Sequence, residues 1–204
     1  MPALEIRAHA ALGNVQEVTD LVEEAILKDA APLLACRIAA RQLRAHGHLD
    51  ASLAIRERGL AYRRDHPAQG APNRLYRYDH MRDLYLLERW DDAKVIAEEL
   101  AREVPSDPNY LGYLGTLAAQ RGERDEALRI SEELASLDRP FLLGLNTLWR
   151  ARVSAVLGEQ QQAVSLLRQA HQEGQWFHVA IRDNMDLESL RGYPPFVELM
   201  RPKG

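Results

Sequence analysis

The most constraining feature of the sequence is a turn position that recurs at an interval close to 34 residues. The turn residues are Gly13, Gly47, Glu88, Gly122 and Gly158, and the residues five positions later are Val18, Ser52, Ala93, Ala127 and Ala163. Each of these later residues is small or β-branched and begins the packing face of a helical pattern. The steps between turns are 34, 41, 34 and 36 residues, so the sequence predicts a series of similar units, each made of two helices joined at the turn.

The single longer step contains a loop. Its extra residues lie in 66–73, HPAQGAPN, a segment that is rich in proline and glycine and cannot be helical throughout. We interpret this segment as a connection between two helix pairs within one domain.

Apolar residues recur at helical spacing on both sides of each turn, which predicts five helix pairs over residues 1–174. The predicted helices are 2–12 and 14–29, 33–45 and 49–64, 74–88 and 91–103, two helices within 108–140, and finally 141–157 and 160–172. Gly174 is expected to follow the end of the last helix, where glycine is favoured. The predicted fold class is therefore all-α.

Residues 175–204 do not continue the interval and are predicted to form a cap on the last helix pair, in the same domain. Pro195 fits the first turn of a short helix that contains Phe196 and Met200. Because a stacked array leaves the apolar face of its last unit uncovered, an atypical end segment is expected there. The residues expected to cover that face are Trp176, Phe177, Tyr193, Phe196 and Met200.

The fourth helix pair, PNYLGYLGTLAAQRGERDEALRISEELASLDRP, resembles the tetratricopeptide (TPR) repeat. Leu114, Gly115, Ala127 and Pro140 occupy the template's Leu, Gly, Ala and Pro positions, whereas Leu111, Ala118 and Ser131 replace its Trp, Tyr and Phe. Residues 186–204 resemble the end of the TPR arrays found at the C-terminus of multidomain bacterial signalling proteins, in which the array follows a serine/threonine kinase, a cyclase or a TolB-like domain. The resemblance implies a right-handed superhelix of about five helix pairs with an interaction role. It also implies that the chain is either the tail of a longer protein or a free-standing relative.

Charge is divided between the two helices of the predicted pairs. The first helices of pairs two to five hold ten basic and three acidic residues, whereas the second helices of all five pairs hold ten basic and 21 acidic residues. In TPR arrays the first helices line the concave surface, so the resemblance implies a groove that is more positive than the outer surface. A solvated acidic face on the second helices explains the negative half equally well.

Arginine recurs at one position of the first helices. The residues six positions before each turn are Arg7, Arg41, Arg82, Thr116 and Arg152. The resemblance implies that this position faces the groove, where arginine can hold a carboxylate through two hydrogen bonds. The predicted peptide-binding groove consists of Arg7, Arg37, Arg41, Arg44, Tyr78, Arg82, Tyr85 and Arg152. The two tyrosines fit equally well as wedges in the core between repeats.

The sequence contains no recognisable catalytic motif, which predicts a non-enzymatic protein without a cofactor. His46 and His48 flank a turn glycine without further ligands at a metal-binding spacing, and we expect no metal there. A second group of metal-ligand residue types, His178, Asp183, Asp186 and Glu188, is interpreted as helix-capping residues. The single cysteine, Cys36, lies on an apolar stripe and is predicted to be a small buried residue.

The expected partner is a protein or peptide with acidic character. A net charge of −4 gives no reason to expect nucleic acid, and the absence of an apolar run of about 18 residues or of a signal pattern predicts a cytoplasmic protein without membrane insertion. The alternative function is structural, as a module that forms homo-oligomers or packs against another domain of a larger signalling protein. An enzyme is the third alternative, although no constellation of acid, base and nucleophile supports it.

Overall fold

The computed structural model describes residues 3–67, 73–176, 181 and 184–201. Within these ranges the regular elements are helices and no strand is present, which confirms the predicted all-α class. The chain divides into two compact units, residues 1–88 and residues 89–204. None of the helices in the described ranges combines the length and the apolarity that crossing a membrane requires.

The first unit contains five helices among the residues that the structure describes. They are α1 (Ala3–Ala11), α2 (Val15–Leu27), α3 (Pro32–Ala45), α4 (Leu49–Asp65) and α5 (Arg74–Leu86). The central helix, α3, packs against α1, α2 and α4, and α4 also packs against α5. Small buried residues on α3, among them Ala35, Cys36, Ala39 and Ala40, allow its neighbours to approach closely. The prediction that Cys36 is buried is therefore confirmed.

The second unit contains six α-helices and one 3₁₀ helix among its described residues. They are α6 (Trp90–Glu103), α7 (Pro108–Gln120), α8 (Arg124–Ala135), α9 (Leu145–Val156), α10 (Gln160–Gln172), the 3₁₀ helix (Met185–Leu190) and α11 (Pro194–Leu199). Helix α7 packs against α6, α8 and α9, and α9 packs against α10. The Trp149 ring lies where a side chain at Gly112 would begin, since a Cβ atom built there would be 2.0 Å from Trp149 Cδ2.

The recurring turns share one backbone conformation. The turn glycines Gly13, Gly47, Gly122 and Gly158 have φ between 76° and 86°, and Glu88 has φ of 58°. Glu88 therefore takes the left-handed conformation of the glycine that it replaces, although such a conformation is unfavourable for a residue with a Cβ atom. The residues five positions after the turns, Val18, Ser52, Ala93, Ala127 and Ala163, are all completely buried.

The connection before α9 differs from the sequence prediction. We expected a helix from residue 141, but α9 begins at Leu145. Phe141 and Leu143 adopt positive φ, which is incompatible with a right-handed helix, and the Phe141 side chain is 90% exposed.

The segment after α10 packs on the last two long helices. Leu187, Leu190 and Phe196 are buried in one cluster with residues of α9 and α10, and Tyr193 and Met200 pack at its margin. The predicted short helix at Pro195 is present as α11. The expectation for Trp176 is wrong, since this side chain is 81% exposed, and the one for Phe177 lies outside the described residues.

Candidate functional site

Basic side chains gather on α3 and α5 of the first unit. Arg37, Arg41 and Arg44 are spaced four and three residues apart on α3, which places them along one side of the helix. Arg41 is exposed, and Arg37 and Arg44 are half-buried. We call these three residues and Arg82 of α5 the basic strip.

Asp79 of α5 links two members of the basic strip. Both carboxylate oxygens of Asp79 lie 3.2 Å from Arg37 Nη1, and Asp79 Oδ1 lies 3.5 Å from Arg82 Nη1. The Arg82 Cζ atom also lies 5.5 Å from the centre of the Tyr78 ring, within the range of a cation–π contact. The structure thus brings together three predicted groove residues, Arg37, Tyr78 and Arg82, around one carboxylate.

A second group of charges lies deeper in the first unit. Arg56 and Arg63 of α4 are buried, and both point to Asp83 of α5. Arg56 Nη1 donates to Asp83 Oδ1 at 2.9 Å, whereas Arg63 Nη2 lies 3.6 Å from Asp83 Oδ2. Burial raises the pKa of the Asp83 carboxyl above its usual range, although both arginines act in the opposite direction. Four arginines, Arg37, Arg56, Arg63 and Arg82, therefore lie within ion-pair distance of the carboxylates of Asp79 and Asp83.

Sequence reasoning missed Arg56 and Arg63 because it treated the charges of the second helices as solvated. The signal was present in their spacing. Ser52, Arg56, Gly59 and Arg63 follow one another at four- and three-residue steps, so they share the buried face of α4. An arginine on such a stripe is either paired inside the protein or lines a site.

A pocket with a volume of about 240 Å³ opens between α3, α4 and the beginning of α5. Its lining residues are Leu33, Leu34, Arg37, Arg63, Asn73, Leu75, Tyr76 and Asp79. The Tyr76 ring lies over the Arg63 guanidinium, with the ring centre 4.5 Å from Cζ. The Asn73 side chain accepts a hydrogen bond from Tyr76 N at 2.9 Å, which caps α5 and fixes the start of the helix at the pocket wall. The pocket thus combines apolar walls with arginine.

Two predicted groove residues are corrected by their burial. Tyr85 is completely buried in the first unit. Its position therefore fits the alternative interpretation, in which it is a wedge in the core. Arg152 belongs to the second unit and is buried, because its guanidinium pairs with Asp186 and lies on the Trp149 ring. Neither side chain is available to a ligand in this conformation. The remaining predicted residue, Arg7, lies exposed on α1.

Comparison with known protein families, with curated proteins and with solved structures gave no match. In the described residues, no group of three or more His, Cys, Asp and Glu side chains is arranged to hold a metal ion. The inference about function therefore rests on the basic strip and the pocket.

Proposed function

We propose that the chain is a non-enzymatic interaction scaffold that binds an acidic peptide or protein segment along the basic strip. The observation that carries this proposal is the convergence of Arg37 and Arg82 on Asp79, together with the exposure of Arg41 one helical turn from Arg37 on α3. An acidic segment would bring carboxylates to this positively charged surface. Guanidinium groups suit this role because their planar fork matches a carboxylate.

The proposal includes a TPR-type arrangement, a right-handed superhelix of about five helix pairs. Polar contacts between second helices support stacking of successive pairs. Arg58 of α4 donates to Glu23 of α2 at 2.7 and 2.8 Å, and Tyr62 of α4 donates to Asp29, just after α2, at 2.6 Å. In the second unit, Arg124 of α8 donates to Glu159 at the start of α10. These partners are 33 to 35 residues apart, which is close to the recurring interval of the sequence.

A second candidate function is self-association or packing against another domain. The exposed apolar side chains of Phe141, Leu143 and Trp176 in the second unit favour it. Light scattering on the purified chain separates the two candidates, because a self-associating module forms a stable dimer or larger species without an added ligand.

The test of the scaffold proposal begins with selection of binders from a library of short random peptides. We expect the selected peptides to be rich in Asp and Glu, and we expect Arg41→Glu to weaken their binding at least about tenfold. This substitution removes one attraction between Arg41 and a peptide carboxylate and adds one repulsion between two carboxylates. An arginine–carboxylate ion pair is worth about 1 kcal/mol when exposed and about 3 kcal/mol when desolvated.

The matched control is Arg64→Glu, which makes the same charge change at an exposed arginine of α4. Both variants change the net charge equally, so only a local role of the basic strip predicts a difference between them. Equal binding by the two variants, or selected peptides without acidic residues, would contradict the proposal. Binding should also weaken with added salt, because screening reduces attraction between exposed charges.

A further inference from the structure

The pocket between α3, α4 and α5 contains an arginine with two donor nitrogens that find no acceptor among the described residues. Arg63 is 8% exposed, and its Nε and Nη1 atoms have no hydrogen-bond partner among the described residues. Its third nitrogen, Nη2, lies 3.6 Å from Asp83 Oδ2, which is beyond hydrogen-bond distance. A buried guanidinium in this state is costly, because its donors have lost water without gaining acceptors.

The charges around Arg63 define what an incoming group must supply. Arg56 already donates to Asp83, and Arg37 already donates to Asp79. The donors that remain on Arg63 therefore call for one further acceptor with a negative charge. A group with two or more negative charges fits less well, since the Asp79 carboxylate also lines the pocket and would repel it.

The other walls of the pocket define the body of the ligand. Leu33 and Leu34 from α3 and Leu75 from α5 line it with apolar surface, and its volume of about 240 Å³ admits a short aliphatic chain. The Tyr76 ring covers one face of the Arg63 guanidinium. Rotation of the Tyr76 side chain is the movement that would open a path from the pocket to the Arg63 donors.

We propose that this pocket is a binding site for an aliphatic monocarboxylate, whose carboxylate accepts hydrogen bonds from Arg63 while its chain packs on Leu33, Leu34 and Leu75. Either a free organic acid or the last residue of a peptide can supply this chemistry. The pocket shares Arg37 with the basic strip, but Arg41, on which the test of the acidic segment rests, does not line it.

The direct test is calorimetric titration of the full chain with hexanoate, with its neutral isostere hexanamide and with inorganic phosphate. We expect saturable binding of hexanoate, and binding of hexanamide and phosphate at least about tenfold weaker, since each lacks either the charge or the apolar body. In a parallel NMR titration, the Arg63 Nε–H resonance should shift with hexanoate and stay unchanged with hexanamide. N-acetyl-leucine mimics the last residue of a peptide. Tighter binding of N-acetyl-leucine than of hexanoate would indicate a peptide as the source of the carboxylate, and weaker binding would indicate a free organic acid.

Two variants test whether hexanoate binds in the pocket. Leu75→Trp should fill the pocket and weaken hexanoate about tenfold or more without disturbing the core, because Leu75 is largely exposed. Leu27→Trp, at an exposed leucine of α2 outside the pocket, is the matched control and should bind as the parent does.

Arg63→Gln should abolish the preference for hexanoate over hexanamide. If this variant does not fold, the Leu75→Trp comparison still decides. Arg41→Glu should leave hexanoate binding unchanged, because Arg41 does not line the pocket, and this separates the pocket from the peptide contact at Arg41. The proposal is overturned if hexanoate and N-acetyl-leucine do not bind saturably, if hexanamide or phosphate binds equally well, or if Leu75→Trp has no effect.

Discussion

Asp186 accepts two hydrogen bonds from Arg152 across 34 residues of sequence, with Oδ2 lying 2.6 Å from Nε and 2.5 Å from Nη2. Both residues are buried, and the Arg152 Cζ atom also lies 3.5 Å from the centre of the Trp149 ring. This ion pair joins α9 to the 3₁₀ helix that follows α10. An arginine expected to bind a ligand thus holds the C-terminal segment in place instead.

Removal of the Asp186 carboxylate should destabilise the second unit strongly. Asp186→Ala leaves the Arg152 guanidinium buried without its partner, a change that costs about 3–5 kcal/mol in buried pairs. Urea unfolding followed by circular dichroism measures the difference. The control is Glu198→Ala, which breaks the exposed Glu198–Arg201 pair and should change stability by about 1 kcal/mol or less. An Asp186→Ala variant as stable as the parent would show that the pair does not hold the segment.

The recurring turns give a second prediction, in the stabilising direction. Glu88 has φ of 58°, and a left-handed conformation costs about 1–2 kcal/mol for a residue with a Cβ atom. Glycine avoids this cost but loses about 0.5–1 kcal/mol more conformational entropy on folding. We therefore expect Glu88→Gly to stabilise the protein by up to about 1 kcal/mol, and Glu88→Ala, which keeps the strain, not to do so.

The converse change at an equivalent turn is Gly122→Ala, which should destabilise by about 1–2 kcal/mol because Gly122 has φ of 76°. Its control is Gly192→Ala, since Gly192 does not have such a φ and a Cβ atom there would meet no neighbour within 4 Å. Thermal unfolding of the two variants should show a lower melting temperature for Gly122→Ala than for Gly192→Ala. Equal melting temperatures for Gly122→Ala and Gly192→Ala would contradict this account of the turns.

The sequence predicted the core better than the candidate site, and the reason is physical. The residues five positions after each turn are all completely buried because helical geometry alone determines which side of the second helix faces its partner. The residues six positions before each turn differ from one another. Arg7 and Arg41 are exposed and Arg82 is half-buried, whereas Thr116 and Arg152 are buried.

The exposure of an arginine depends on neighbours that are distant in sequence. Arg152 is buried because Asp186 and Trp149 provide it with partners, and a recurring interval contains no information about such contacts. The start of α9 was missed for a related reason. Phe141 and Leu143 have positive φ without the glycine or asparagine that usually signals it. The one local signal was Gly144, which has φ of 76° and directly precedes α9, and the prediction placed it inside the helix.

Cys36 provides a prediction about pH. Burial raises the pKa of the Cys36 thiol to about 11, and the thiolate is the reactive form. At pH 8 the native protein should therefore react with Ellman's reagent at least about a hundredfold more slowly than the protein unfolded in urea, whose thiol has a pKa of about 8.5. Similar rates in both states would contradict the burial of this residue.

The same shift predicts a loss of stability in alkali. The folded state favours the neutral thiol, so this contribution to stability is complete below the pKa of the unfolded thiol and is lost as pH rises from about 8.5 towards about 11. Cys36→Ala lacks the titrating group. The free energy of unfolding of the parent, measured relative to this variant, should therefore decline over that pH range and remain constant below it.

Asp79 offers a gain-of-function test of the basic strip. Its carboxylate lies 3.2 Å from Arg37 Nη1 and 3.5 Å from Arg82 Nη1, so it occupies donors that an acidic segment would use. Asp79→Asn should release them and strengthen binding of the selected acidic peptide by up to about fivefold, since an ion pair that is only partly buried is worth about 1 kcal/mol. The salt dependence of binding should become steeper as well, because the site gains one net positive charge. Asp92→Asn, which removes a carboxylate from the exposed Arg89–Asp92 pair, makes the same charge change elsewhere and should leave the affinity unchanged. If both variants strengthen binding equally, net charge alone attracts the peptide and the basic strip is not its binding surface.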